Sequence, residues 1–310
     1  MRAAILFLLA WMAFGVVGAV PASGDASPRP VAERWAALAN ADLSGYANSN
    51  ERARAVERVY QTLFADDETR WRHASDSDLD LYFQAASFVA FYSMRVGDVA
   101  RMERLLGVLN DRKLAQPRHY ADMYGALLSI RSFDRARTLL DAHPGLAVAP
   151  LPTVVMESAE GAAGTVWRYS QDQAAITLTR ATLSPHVQVI VIAHPLCHFT
   201  QDAARSITSD PQLRAALDGA LWLAPQSWSL DVSAIQDWNR KYPTMQIYTV
   251  NRRSDWPSLE NWGTPTFYFL RDGKVVETVV GWPREGRSAQ VLGASRRMRS
   301  PVSNDHASGE

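Results

Sequence analysis

The stretch Val187-Gln188-Val189-Ile190-Val191-Ile192-Ala193 limits the fold more than any other part of this chain. It has a single polar side chain and is rich in β-branched residues, so it reads as a strand covered on both faces. Such a strand needs layers above and below it, which places it inside an α/β sheet. Runs of β-branched and aromatic residues at 165–169, 175–182, 221–224, 245–250, 266–270 and 275–280 supply its neighbours. A helix is expected to start just after Cys197, and another to cover 232–240. Asp272-Gly273, between two of the strand runs, is a hairpin signal.

The half before this sheet has a different pattern. From about 32 to 142, apolar residues recur at three- and four-residue spacings, as in Val56, Val59, Tyr60 and Leu63, which predicts an all-α region. His143-Pro144, Pro150, Pro152 and Gly161-Ala162-Ala163-Gly164 predict a linker over 143–164. A length of 310 residues accommodates two domains. The expected class is therefore α+β with two domains: helices over 32–142 and an α/β domain over 165–286. The polar tail 287–310, with Arg296, Arg297 and Arg299, is expected to be disordered.

The first residues read as an export signal over 1–22. Arg2 gives a basic start, and the apolar stretch from Ala3 to Val17 falls short of the ~20 residues a spanning helix needs. Small residues then offer cleavage sites at Val17-Gly18-Ala19 and Val20-Pro21-Ala22, and 23–31 reads as a flexible leader. The expected location is periplasmic or otherwise exported, with no membrane span once the signal is removed. Lys plus Arg is 32 and Asp plus Glu is 32, a balance that argues against a broad nucleic-acid-binding surface. The chain has 1 cysteine, so no disulfide forms within it, and Cys197 calls for a chemical reading.

Two resemblances follow from particular residues. Gly263-Thr264-Pro265-Thr266-Phe267-Tyr268-Phe269-Leu270 with Asp272-Gly273, and Val280-Gly281 further on, resembles the second half of the thioredoxin family. The strand–Cys–helix segment 187–206 resembles that family's active-site segment. The likeness implies a thioredoxin-like domain over about 165–286. It also implies a cis bond before Pro265 lying beside Cys197, with the backbone of Thr264 pairing with a bound polypeptide. The sequence separation of Cys197 and Pro265 exceeds that of the smallest members and looks like that of exported relatives carrying an insertion. In the helical half, Leu105-Leu106 recurs as Leu139-Leu140 at a shift of about 34 residues, which resembles a tetratricopeptide helix pair. A plain helical bundle explains the same pattern.

The match departs from the family at the residues that matter for turnover. The Cys-x-x-Cys motif is Cys197-His198-Phe199-Thr200 here, Leu196 stands where a tryptophan often precedes the first cysteine, and Val191 stands in the place of a buried acid. A two-cysteine enzyme resolves its mixed disulfide with the second thiol, which this chain lacks. What remains for Cys197 is monothiol chemistry, with the Thr200 hydroxyl steadying a thiolate at the start of a helix, where the dipole also favours it. His194 and His198 are expected to modify the thiol. A metal held by His194, Cys197 and His198 is the lesser reading of that cluster. Trp262, close to the proline loop, is expected to line a peptide groove. Asp202 and Asp210 read as solvated or capping residues. No cofactor is expected. Partners are expected to be exported polypeptide clients or a redox protein. Two functions stand open: a monothiol thiol–disulfide oxidoreductase-like factor acting through Cys197, and a non-catalytic module binding polypeptide with its helices and its groove.

Overall fold

The computed structural model describes residues 29–64, 68–157, 164–172 and 174–300. The expected signal at 1–22, most of the leader and the last ten residues of the tail lie outside them. From Val31 onward the chain clusters as one compact unit.

The first half is helical: α1 (Val31–Ala39), α2 (Ser49–Phe64), α3 (Glu68–Trp71), α4 (Asp76–Ser93), α5 (Val96–Asp111), α6 (Pro117–Ser129) and α7 (Phe133–Ala142). Helices α4 and α5, and then α6 and α7, follow one another as two pairs joined by short turns. Leu105 and Leu106 are buried on α5, and Leu139 and Leu140 are half-buried on α7. Among the described residues, no helix is long and apolar enough to cross a membrane.

The second half is an eight-stranded mixed sheet in the order β1-β3-β2-β6-β5-β4-β7-β8. Its strands are β1 (Thr153–Met156), β2 (Thr165–Tyr169), β3 (Ala175–Arg180), β4 (Val187–Ile192), β5 (Leu221–Ala224), β6 (Ile247–Val250), β7 (Thr266–Arg271) and β8 (Lys274–Val280). Strands β4, β5 and β6 run parallel, whereas β7 runs antiparallel to β4. Helices α8 (His198–Ser209), α9 (Pro211–Ala216) and α10 (Val232–Lys241) make the crossovers, and α11 (Ser288–Arg299) closes the chain. The long separation of Cys197 from Pro265 is thus filled by two helical crossovers and a strand, β6, added beyond β5. At the β7–β8 turn, Asp272 and Gly273 both have positive φ, 49° and 72°, as a tight hairpin turn demands.

The alternation of side chains along each strand divides the core in two. Val189 and Val191 of β4, Phe267 and Phe269 of β7, and Trp222 of β5 face the larger core, which α8, α10, α11 and the helical half cover. Ile190 and Ile192, Tyr268 and Leu270, and Leu223 face the other way. There the cover is a segment with no α-helix, in which Trp256, Leu259 and Trp262 are buried. Each such tryptophan removes roughly 150–250 Å² from water, so a few of them suffice to close that face.

Two expectations change, and the two halves of the chain meet through polar contacts. Arg131, in the turn between α6 and α7, donates from Nε to Asn251 O (2.8 Å) and from Nη2 to Val250 O (2.6 Å). Gln226 donates to Ser129 O, and Phe133 meets Trp167 edge-on at 5.1 Å. The 143–164 stretch is not only linker, since Thr153–Met156 pairs in parallel with β3 as an edge strand. The tail from 287 is ordered as α11 through Arg299, because Val291, Ala294 and Met298 sit on one helical face and are buried.

Candidate functional site

Cys197 stands between β4 and α8. Residues Thr200, Ala203, Ala204 and Ile207 recur at helical spacing and are buried, so α8 is pinned to the sheet by that face. The pinning fixes Cys197 as the residue capping the helix, with extended backbone (φ −80°, ψ 118°) and a side chain that makes no capping bond. Its sulfur is half-buried and donates to the carbonyl of Thr264 at 3.3 Å. The Thr264–Pro265 bond is cis. That loop is held on both sides: Thr266 Oγ1 donates to Gly263 O (2.6 Å) and the Gly281 N–H donates to Pro265 O (2.7 Å).

Burial pushes the Cys197 thiol up, but the hydroxyls of Thr264 and Thr200 and the N–H groups of Thr200 and Phe199 together outweigh it. The net effect holds the thiol below its ordinary value. The Thr264 carbonyl accepts from the neutral thiol, whereas the hydroxyls and amides at the helix start favour the charged form. Thr200 is fully buried, and its Oγ1 also accepts from the His194 N–H at 3.4 Å.

The two histidines go to different places. His194 Nδ1 accepts from the Leu196 N–H (3.3 Å), which leaves Nε2 to donate to Asp231 Oδ2 (3.0 Å). Asp231 sits at the start of α10 with φ 43°, and its side chain makes no capping bond to that helix. It accepts instead from His194 and from Ser229 Oγ (2.7 Å). Burial raises the Asp231 carboxyl, but the bonds from His194 and Ser229 win and hold it below the usual range. His198 is exposed, and its ring lies against that of Phe199, centroids 3.8 Å apart and planes tilted by 40°. Among the described residues, no three His, Cys, Asp or Glu side chains are grouped to hold a metal, so His194, Cys197 and His198 do not converge on one ion.

Trp262 is corrected outright. Its side chain is buried to 3 % exposure in the second core, and the Arg253 guanidinium lies over its ring at 5.8 Å. That burial leaves no face of the ring to line a groove. The apolar surface beside the thiol comes from Leu196 and Phe199, exposed by 64 % and 42 %. Asp202 pairs with Arg205 on α8, and Asp210 caps α9 by accepting from the Gln212 N–H at 2.8 Å. Asp231 was missed by sequence reasoning. Its place just before a helix signals a cap, and nothing local reveals that it turns towards His194.

The site offers one nucleophile, a buried hydroxyl where a second thiol would be needed, and an apolar rim. It can open a disulfide by exchange and cannot resolve the product internally. No protein-family model matches the chain, and no curated protein matches it. The chain is similar to the crystal structure of a thioredoxin-like protein from Bacteroides caccae, over 90% of this chain and 98% of that one, at 9% identity and a TM-score of 0.30. A likeness that faint decides nothing about the site, whose reading stands on its own geometry.

Proposed function

We propose that this protein is an exported monothiol thiol–disulfide oxidoreductase-like factor acting on envelope polypeptides through Cys197. The observation that carries the reading is the placement of the Cys197 sulfur at the start of α8, 3.3 Å from the carbonyl of Thr264. The Cys197 thiolate attacks one sulfur of a client disulfide. A Cys197–client mixed disulfide forms, and the other client sulfur leaves as thiolate and takes a proton from water. A second thiol, from a small thiol or a partner protein, attacks the client sulfur of that mixed disulfide and releases Cys197 as thiolate. The client ends in a new disulfide with that thiol, so electrons balance without a second cysteine in this chain. Leu196 and Phe199 offer apolar contact to the client, and the backbone of Thr264 and Pro265 lies beside it. The N-terminal sequence supports export.

The test is trapping in the native envelope. The account expects clients linked to the wild-type protein through Cys197, released by reductant and absent with Cys197→Ala. Binding without thiol chemistry is the second reading. An apolar cavity of about 480 Å³ lined by Tyr124, Leu128, Leu151, Trp228 and Leu230 favours it. Clients retained non-covalently by Cys197→Ala would establish that reading in place of the first.

A further inference from the structure

Outside the carboxyl ends of β5 and β6 lies a cavity of about 440 Å³. It is bounded by α2, the turn between α4 and α5, and the segments leaving the two strands. Crevices at the carboxyl ends of parallel strands are where open α/β sheets take ligands. The wall carries Arg54, Arg95, Arg252 and Arg253 and, among the described residues, no carboxylate. Arg95 is matched by Glu57 at 2.5 Å. Arg54, Arg252 and Arg253 have no ion-pair partner among the described residues.

Arg253 is the most confined of them. Its backbone N–H donates to Gln226 Oε1 (3.0 Å) and Nη2 donates to Gln226 O (3.3 Å), while Nε is buried with no partner. Burial first, and then the charge of Arg52, pulls its guanidinium down to about 10, so it stays cationic at neutral pH. Cations gathered in a half-closed site repel one another, and confined charges are normally paired. Arg253 is confined without an ion-pair partner, and Arg54 and Arg252 reach the same hollow from its exposed rim with no acid on the wall, so the hollow favours negative charge. Tyr92, Met94 and Pro257 give the same hollow an apolar side.

We propose that this cavity binds a small organic anion, its phosphate or carboxylate head held by Arg54, Arg252 and Arg253 and its apolar part set against Tyr92 and Met94. Guanidinium forks suit either oxyanion through paired N–H donors. The site is independent of Cys197 and needs no thiol chemistry.

The experiment is titration calorimetry of the full chain at low salt, with pyrophosphate and with citrate as separate probes. At least one probe is expected to bind saturably at a single site. Arg54→Gln and Arg252→Gln should each weaken it by about tenfold, the scale of one lost hydrogen bond to a charged group. Both side chains are exposed, so the fold should survive replacement, and near-ultraviolet circular dichroism checks this. Arg205→Gln, on α8, should bind as the wild type does. Preference for pyrophosphate assigns a phosphate head, and preference for citrate a carboxylate head. Failure of both probes to bind, indifference to both cavity replacements, or equal weakening by Arg205→Gln would overturn the proposal.

Discussion

The carboxyl end of β4 and those of β5 and β6 lie side by side on one sheet, yet they handle polar groups in opposite ways. At β4, His194, Asp231 and Ser229 satisfy one another, and Cys197 faces Thr264. At β5 and β6, arginines crowd a hollow without a carboxylate on its wall. A corner whose hydrogen bonds are closed internally keeps one reactive atom in a fixed place. A corner whose charges are left open is completed by something from outside. Trp262 precedes the Thr264–Pro265 loop in sequence, and the Arg253 guanidinium lies over its ring.

The comparison breaks most completely at Cys197. Cys197→Ala should abolish mixed-disulfide formation with oxidised glutathione, read by intact mass, while leaving anion binding in the arginine cavity unchanged. Next in size is Trp262→Ala, which removes a side chain buried in the second core. It should cost about 3–5 kcal/mol of stability in denaturant unfolding, whereas loss of an exposed groove residue would cost well under one. Thr200→Val keeps the shape and deletes the hydroxyl. The thiol should then move upward and alkylation at neutral pH should slow several-fold, because only the thiolate reacts. The smallest effect is on stability. The folded thiol sits below its unfolded value, so its contribution is fully present above the unfolded pKa and is lost as pH falls through the folded one. The melting temperature of the wild type relative to Cys197→Ala should therefore rise between mildly acidic and alkaline pH.

Much of the sheet was legible in the residues. Strands β2 and β5 begin and end where β-branched and aromatic runs do, and Asp272-Gly273 marks its turn because positive φ selects those residues. Thr153–Met156 hid among prolines, and as a largely exposed edge strand it shows no burial alternation to betray it. Helix α11 hid behind its arginines, because polar composition masked a stripe of only a few apolar residues. The contacts between the two halves were hidden for a related reason. Arg131 looks like a surface charge in sequence, and only the carbonyls of Val250 and Asn251 turn it into a buried tie. At the candidate site, the place of Cys197 at a helix start could be read locally. The turn of Asp231 towards His194 and the burial of Trp262 depend on contacts far apart in sequence, where local pattern carries no information.

The central claim is that the start of α8 and the Thr264–Pro265 loop together favour the ionised sulfur of Cys197. The pH dependence of iodoacetamide alkylation of the native protein measures this directly. The account predicts a midpoint below the ordinary cysteine value of about 8.5. A midpoint at or above that value would show that burial wins at this sulfur, and the thiol reading of the protein would fall with it.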